Sequence, residues 1–394
     1  MKIALLCSGL GNVYRGHEIF ARDLFELLKK DIDITLFKGG GEPLPNERVI
    51  DNIPRNSASL DNIHLAVSPK WESAIREQER IRVETETFAY ASLKPLLEGG
   101  YDVIHCLEQE VCNILYSQRH LFEKTPKIVF SNGGAIPAHN LPNCDFVQEH
   151  TDHNLKLSAK GKSFMIPHGV DMKLFHPGVE TSFRAEHGIP EDAFVIISVG
   201  TICYWHKRMD YVIREIAPIK DAYLVIVGQE CGDTPEIIEL GKQLMGDRIV
   251  FTKMSHEDLP KAYAAANVFV LGSLFETFGI VYIEAMASGL PVISTNHVNQ
   301  TSIVKEGVFI DMKTPGELTK AVNNLDPEKL AYLGKRGPEI VAENYDLTLL
   351  RQRYIERYSQ ISAFEPELPK YTLKTRAMSN LRNALKKSME MIHS

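Results

Sequence analysis

The chain has 394 residues, more than one hydrophobic core comfortably organises, so two domains are expected. Its 44% apolar and 24% charged residues argue against disordered, fibrous and disulfide-scaffold classes. The formal net charge of −7 disfavours a polynucleotide partner, whose binders usually carry a basic excess. Residues 3–7 form a continuous apolar run, the pattern of a strand buried on both faces. A turn with Gly9 and Gly11 follows, then Arg15 and Gly16. Over residues 17–30, Ile19, Phe20, Leu24, Leu27 and Leu28 recur at helical spacing. Residues 32–37 read as a second strand that ends in Lys38 and three glycines. A dinucleotide fingerprint needs a glycine where Tyr14 stands and an acid where Lys38 stands, so a nicotinamide or flavin enzyme is not expected.

Residues 101–106 and 127–130 read as further strands. Residues 166–171 (IPHGVD), with Pro177 and Gly178 soon after, break the pattern and mark an inter-domain linker. The scheme then restarts. Residues 194–199 form a strand closed by Gly200, a polar loop holds His206, Lys207 and Arg208, and residues 210–216 read as a helix. More strands are expected at 222–227, 248–251, 268–271 and 292–294. This alternation predicts an α/β chain of two Rossmann-like, doubly wound parallel sheets facing a cleft. Ligands of such sheets bind beyond the carboxyl ends of the strands. The expected domains are residues 1–167 and 168–345, followed by a helix at 346–363 returning toward the first domain. In the tail, 364–394, Met378, Leu381, Leu385, Met389 and Ile392 make one stripe among basic residues. Such a helix packs on protein or lies on an anionic membrane surface, and the sequence leaves both open.

The six cysteines form no C-x-x-C pair and read as buried thiols of a reducing compartment. The opening apolar run is too short for a signal peptide, and no stretch approaches the roughly 20 apolar residues of a membrane span. A cytoplasmic location is expected, with peripheral membrane contact through the tail left open.

Residues 273–289 (SLFETFGIVYIEAMASG) carry the strongest signal. Thr277 is the expected N-cap of a short helix, and Gly289 and Pro291 its stop. The segment between has no polar face, so it should be buried all round, yet Glu284 sits within it. A buried carboxylate needs hydrogen-bond donors, which sugar hydroxyls or a neighbouring Lys or Arg would supply equally well. The amides of Phe278, Gly279 and Ile280 at the helix start suit phosphate, and Glu276 just before them suits sugar hydroxyls.

Glu276 and Glu284, with seven residues between, resemble the E-x7-E element of the retaining group 1 (family four) glycosyltransferases, which have the GT-B fold. Residues 166–177 resemble that family's linker, with His168 in place of its asparagine, and residues 198–213 resemble its first donor-domain strand and helix. The resemblance runs over about residues 1–360 and is more specific in the second half. It implies that Glu284 holds the ribose, Glu276 the transferred sugar, and Lys207 the diphosphate. A fixed cation at a leaving diphosphate is also a physical requirement. Thr201 stands where many relatives have arginine, so Arg208 is the candidate second cation. Asn132 stands where many relatives have a first-domain histidine, and His105 with Glu108 in the preceding strand and loop matches the family better. Gly11 is counted with the donor-binding residues.

The resemblance thus implies a metal-independent transferase with no cofactor. Its substrates would be a UDP- or GDP-type nucleotide sugar and a glycan, lipid-linked or small-molecule acceptor. A nucleotide-sugar epimerase of the same fold, or a non-enzymatic nucleotide-binding module, is the alternative. Asp31-x-Asp33 reads as a surface turn, and His150-x-x-His153 lacks a third metal ligand at useful spacing. A glycosidase would need carboxylates flanking the scissile bond from opposite sides, whereas Glu276 and Glu284 bracket one helix start.

Overall fold

The computed structural model describes residues 1–13, 15–366 and 368, so the basic stripe expected in the tail lies outside the described residues. Two parallel sheets form its frame. The first comprises β1 (Lys2–Cys7), β2 (Asp33–Lys38), β3 (Glu47–Val49), β4 (Val103–Cys106), β5 (Lys127–Ser131), β6 (Phe146–Glu149) and β7 (Ser163–Met165). Their order is β3-β2-β1-β4-β5-β6-β7. The second comprises β8 (Phe194–Val199), β9 (Ala222–Val227), β10 (Ile249–Thr252), β11 (Val268–Val270), β12 (Val292–Thr295) and β13 (Val308–Ile310), in the order β10-β9-β8-β11-β12-β13.

The winding reverses beside the first strand of each sheet, between β1 and β4 and between β8 and β11. A crevice opens beyond the carboxyl ends of the strands at such a reversal, because the connections leave in opposite directions. Residues 8–16 and 107–108 lie at one reversal, residues 200–208 and 271–279 at the other. Local chemistry explains the inner strands: β4 and β5 are buried at every residue, as strands covered on both faces must be.

Helices cover both sheets: α1 (Gly16–Leu28), α2 (Pro69–Gly99), α3 (Gln109–Gln118) and α4 (Asp152–Leu157) in the first half, with α5 (Phe183–Glu186) after the crossing. The second half adds α6 (Met209–Ile216), α7 (Thr234–Met245), α8 (Leu259–Ala264), α9 (Ile280–Ala287), α10 (Val298–Val304), α11 (Glu317–Asn323) and α12 (Pro327–Asn344). Then α13 (Leu347–Ser362) packs back on the first sheet. Its Leu350, Tyr354, Tyr358 and Ile361 make one helical stripe that joins Ile3, Leu5, Leu24 and Phe25 in a common core. The two chain crossings pair with each other, Val170 N–H donating to Tyr345 O at 2.9 Å and Leu347 N–H to Val170 O at 3.2 Å.

The sequence patterns miss β3, β6, β7 and β13, which have only three or four residues each. They also miss α2, a 31-residue helix, because its surface is largely charged and its apolar stripe sparse. Among the described residues no helix is long and apolar enough to cross a membrane.

Candidate active site

The second domain brings its predicted residues together at the strand reversal. Lys207 Nζ donates to Glu276 Oε1 at 2.5 Å, and both side chains are largely buried. Gly200 ends β8 at φ +148°, and a Cβ there would come within 3.0 Å of Lys207 Cε. The glycine is therefore what lets the lysine stem cross the strand end to its glutamate. His206 Nε2 lies 3.6 Å from the same carboxylate oxygen, and burial holds its basicity below the usual histidine value despite the nearby Glu276 charge.

Arg208 does not supply the second cation. Its Nη1 donates to Gly272 O at 3.0 Å and to Met312 O at 2.9 Å, and its guanidinium carbon lies 4.2 Å from the Tyr211 ring centroid. It ties together the loops after β8, β11 and β13, and its left-handed backbone at φ +49° caps α6. An arginine spent on carbonyls is a clamp of the scaffold.

The helix expected to begin after Thr277 begins two residues later. Gly279, at φ +75°, is the N-cap of α9, and a side chain there would be strained and would press on Tyr282. The amides of Phe278 and Gly279 therefore precede the helix. Those of Ile280 and Val281 open it, since Tyr282 N–H already donates to Gly279 O at 2.9 Å. The preceding segment is pinned from α10, where Asn299 Nδ2 donates to Glu276 O at 3.2 Å. Gly289 follows the helix at φ +81°, where a left-handed terminator was expected.

Glu284 is 3% exposed, and among the described residues neither Lys nor Arg is its partner. His256 Nε2 donates to its Oε1 at 3.1 Å, and Tyr263 Oη to its Oε2 at 3.0 Å. Burial opposes a charge on His256, yet the hydrogen bond and charge of Glu284 win and raise its pKa to about 8. Across the cleft, Asp23 of α1 is pushed up to about 6 by burial first, with His256 pulling down and Glu284 and Asp171 pushing up. The two halves also touch through rings, Phe20 with His168 at 4.5 Å and His168 with Phe278 at 4.9 Å.

In the first domain the structure corrects two expectations. His105 is fully buried, its Nδ1 lies 2.6 Å from Tyr358 Oη, and burial lowers its pKa to about 3. It is a neutral ring sealed between β4 and α13, so it does not reach a bound sugar. Asn132 is 1% exposed and serves its own loop: Nδ2 donates to Ile136 O at 3.0 Å and to Glu149 Oε1 at 2.9 Å, and Oδ1 accepts from Ile136 N–H at 2.8 Å. Gly11 adopts φ +92° because the Gly40 backbone approaches where a Cβ would stand, which accounts for the glycine by loop packing.

Of the first-domain groups at the reversal, the sequence reading named Glu108 and passed over Ser8 and His17. Glu108 Oε1, after β4, accepts from Ser8 N–H at 2.8 Å and Ser8 Oγ at 2.9 Å, after β1. His17, in the first turn of α1, lies 3.4 Å from it through Nε2. Burial works against charge on His17, but Glu108 raises its pKa overall. Cys7 stays a thiol, its pKa raised by burial and by Glu108 and Glu18. Among the described residues, Cys7, His17 and Glu108 are the trio whose ligand atoms lie within 4.8 Å of one another and could hold a metal ion. His17 was findable, because it follows the first strand's turn as Lys207 follows that of the eighth. His150 and His153 diverge: His150 pairs with Ser131 Oγ at 2.9 Å and stacks on His168, whereas His153 faces His297.

Residues 193–326 match the model of the family described as Glycosyl transferases group 1. A D-inositol 3-phosphate glycosyltransferase of Catenulispora acidiphila is 31% identical over 184 residues, 42% of this chain and 44% of that protein. An uncharacterised glycosyltransferase of Methanocaldococcus jannaschii is 34% identical over 153 residues, 36% of this chain and 38% of its own. The chain thus spans less than half the length of these curated relatives. In overall fold it resembles the sucrose-phosphate synthase of Thermosynechococcus elongatus, at TM-score 0.75 and 22% identity over 92% of this chain and 99% of that one. It also resembles Anabaena HepE in complex with UDP-glucose, at TM-score 0.71 and 16% identity over 91% of this chain and all of that one. The match covers the domain that holds Lys207, Glu276 and Glu284, which is similar to the group 1 glycosyltransferases, and the two parallel-sheet domains give the chain a fold of GT-B type.

Proposed function

We propose that this protein transfers a sugar from a nucleoside-diphosphate sugar, of UDP type, to an acceptor hydroxyl, with retention of anomeric configuration and no metal in the step. The observation that carries the proposal is that Lys207 pairs with Glu276 just before the start of α9, the helix that carries the buried Glu284, while His17 and Glu108 pair at the reversal of the first sheet. Each group meets one part of such a donor. Glu284, held rigid by His256 and Tyr263, keeps acceptor lone pairs for the two ribose hydroxyls. Lys207 and the Ile280 and Val281 amides face the diphosphate, and Glu276 faces the hydroxyls of the sugar. UDP is favoured because HepE, of the same fold, was solved with UDP-glucose.

The pair between Lys207 and Glu276 is part of the chemistry. A diphosphate competes for Lys207 and leaves Glu276 to accept from sugar hydroxyls, so donor binding converts an internal ion pair into two substrate contacts. In the reaction the bond from C1 to the diphosphate oxygen breaks, and the acceptor oxygen bonds to C1 on the same face. The acceptor's proton passes to the departing phosphate oxygen. Lys207 stabilises the charge that develops there. His17, backed by Glu108, is placed to orient the incoming hydroxyl.

Proton NMR of a reaction with UDP-sugar and a hydroxyl acceptor tests this. Donor consumption that requires acceptor, with the anomeric coupling preserved in the product, is expected. Interconversion of the donor by itself would instead identify an epimerase, and binding without turnover a nucleotide-binding module.

A further inference from the structure

The loop between β8 and α6 exposes Trp205 by 81%, an unusual position for an indole. Its ring stacks on His206, with centroids 5.2 Å apart and planes 19° apart. His206 lies 3.6 Å from the carboxylate of Glu276, the residue that follows Phe275. Phe275, 42% exposed, meets His297 edge-on at 5.2 Å, and His297 meets His153 of α4 at 6.5 Å. Val298, next along α10, is 45% exposed. These side chains form one continuous lip that runs from the second domain to the first and passes the carboxylate assigned above to the transferred sugar.

The composition of the lip selects its occupant. Aromatic faces attract the apolar C–H face of a pyranose, and the ring quadrupole adds to the area buried. The three imidazoles between them offer N–H donors and ring-nitrogen acceptors to a sugar's hydroxyl rim. A hydrocarbon surface would desolvate those imidazoles without giving them partners, which costs free energy. The lip is also continuous with the reacting centre, through His206 and Glu276, so a chain lying along it has its end where transfer occurs.

We propose that the lip is an acceptor subsite for a neutral oligosaccharide, whose units stack along Trp205, Phe275 and His297 while its terminal hydroxyl enters the cleft. This rests on the transferase reading above and narrows its acceptor to an extended glycan.

The chain has two tryptophans, Trp71 and Trp205, so Trp71→Phe leaves Trp205 as the fluorophore. That variant is titrated with mono- to pentasaccharides of glucose, galactose, mannose and N-acetylglucosamine, each with and without UDP. A saturable change in Trp205 emission is expected with at least one series, at a Kd that falls with chain length up to three units. Adding Phe275→Ala should weaken it about fivefold while the thermal shift produced by UDP stays unchanged. No saturable change with any sugar overturns the proposal. So does a response to UDP that no sugar extends, or a response to phosphatidylcholine–phosphatidylglycerol vesicles in place of sugars. The two readings fail separately: stabilisation by UDP without a sugar response sinks the subsite alone, whereas no stabilisation by any nucleoside diphosphate removes the donor site itself.

Discussion

The two strand reversals of this molecule carry opposite kinds of polar group. At the second, Lys207 and Glu276 satisfy each other, and Glu284 keeps acceptor capacity beside two neutral or switchable donors. A ligand can replace the first pairing and add to the second at small cost. At the first, the side chains predicted to be catalytic are locked in. Asn132 makes three hydrogen bonds within its own neighbourhood, and His105 is sealed against Tyr358. What remains accessible there is His17 with Glu108 behind it. One reversal thus holds polar groups that can exchange partners, the other groups locked into the scaffold.

Removing a group that exchanges partners should damage chemistry far more than stability. Lys207→Ala is expected to lower transfer by about a hundred- to a thousandfold in kcat, as loss of a preorganised charge at a leaving group does. Steady-state kinetics with UDP-sugar checks it, and unchanged kcat would mean that the diphosphate lies elsewhere. His256 gives an intermediate effect with a definite sign. Its folded pKa of about 8 exceeds the unfolded value, so its stabilising contribution is complete below pH ~6.5 and is lost as pH rises through about 8. That contribution is about 2 kcal/mol. Urea unfolding of the wild type and His256→Gln should therefore differ at pH 6 and converge by pH 9, and a difference independent of pH would contradict the assignment. The smallest effect belongs to the sealed side. Tyr358→Phe leaves His105 Nδ1 buried without its partner and should cost about 1 kcal/mol of stability. Its kcat should match the wild type below the melting transition, and a fall would return His105 to the chemistry.

The sequence exposed the second reversal and hid much of the first, for a physical reason. Glu276 and Glu284 are fixed to one segment, so their spacing alone carries the geometry, and Lys207 precedes a helix at the end of a recognisable strand. The start of α9 was misplaced by two residues because Thr277 is a good capping residue by type, whereas the left-handed turn at Gly279 decides where the helix begins. Arg208 is a charged residue in a polar loop on either account, and only the three-dimensional approach of Gly272 and Met312 reveals what its charge does. In the first domain, Ser8, His17 and Glu108 come from three separate elements, so no spacing connects them. His105 matched a motif in letters, but α13, about 250 residues later, closes over it.

Thermal denaturation with UDP, GDP and ADP, on the wild type and Glu284→Ala, tests the central claim most directly. A nucleoside diphosphate that binds the folded state should raise the melting temperature with concentration, and UDP should do so most. The shift should vanish in Glu284→Ala, which loses the ribose contact. An equal UDP shift in both proteins would place the nucleotide away from α9 and contradict the account.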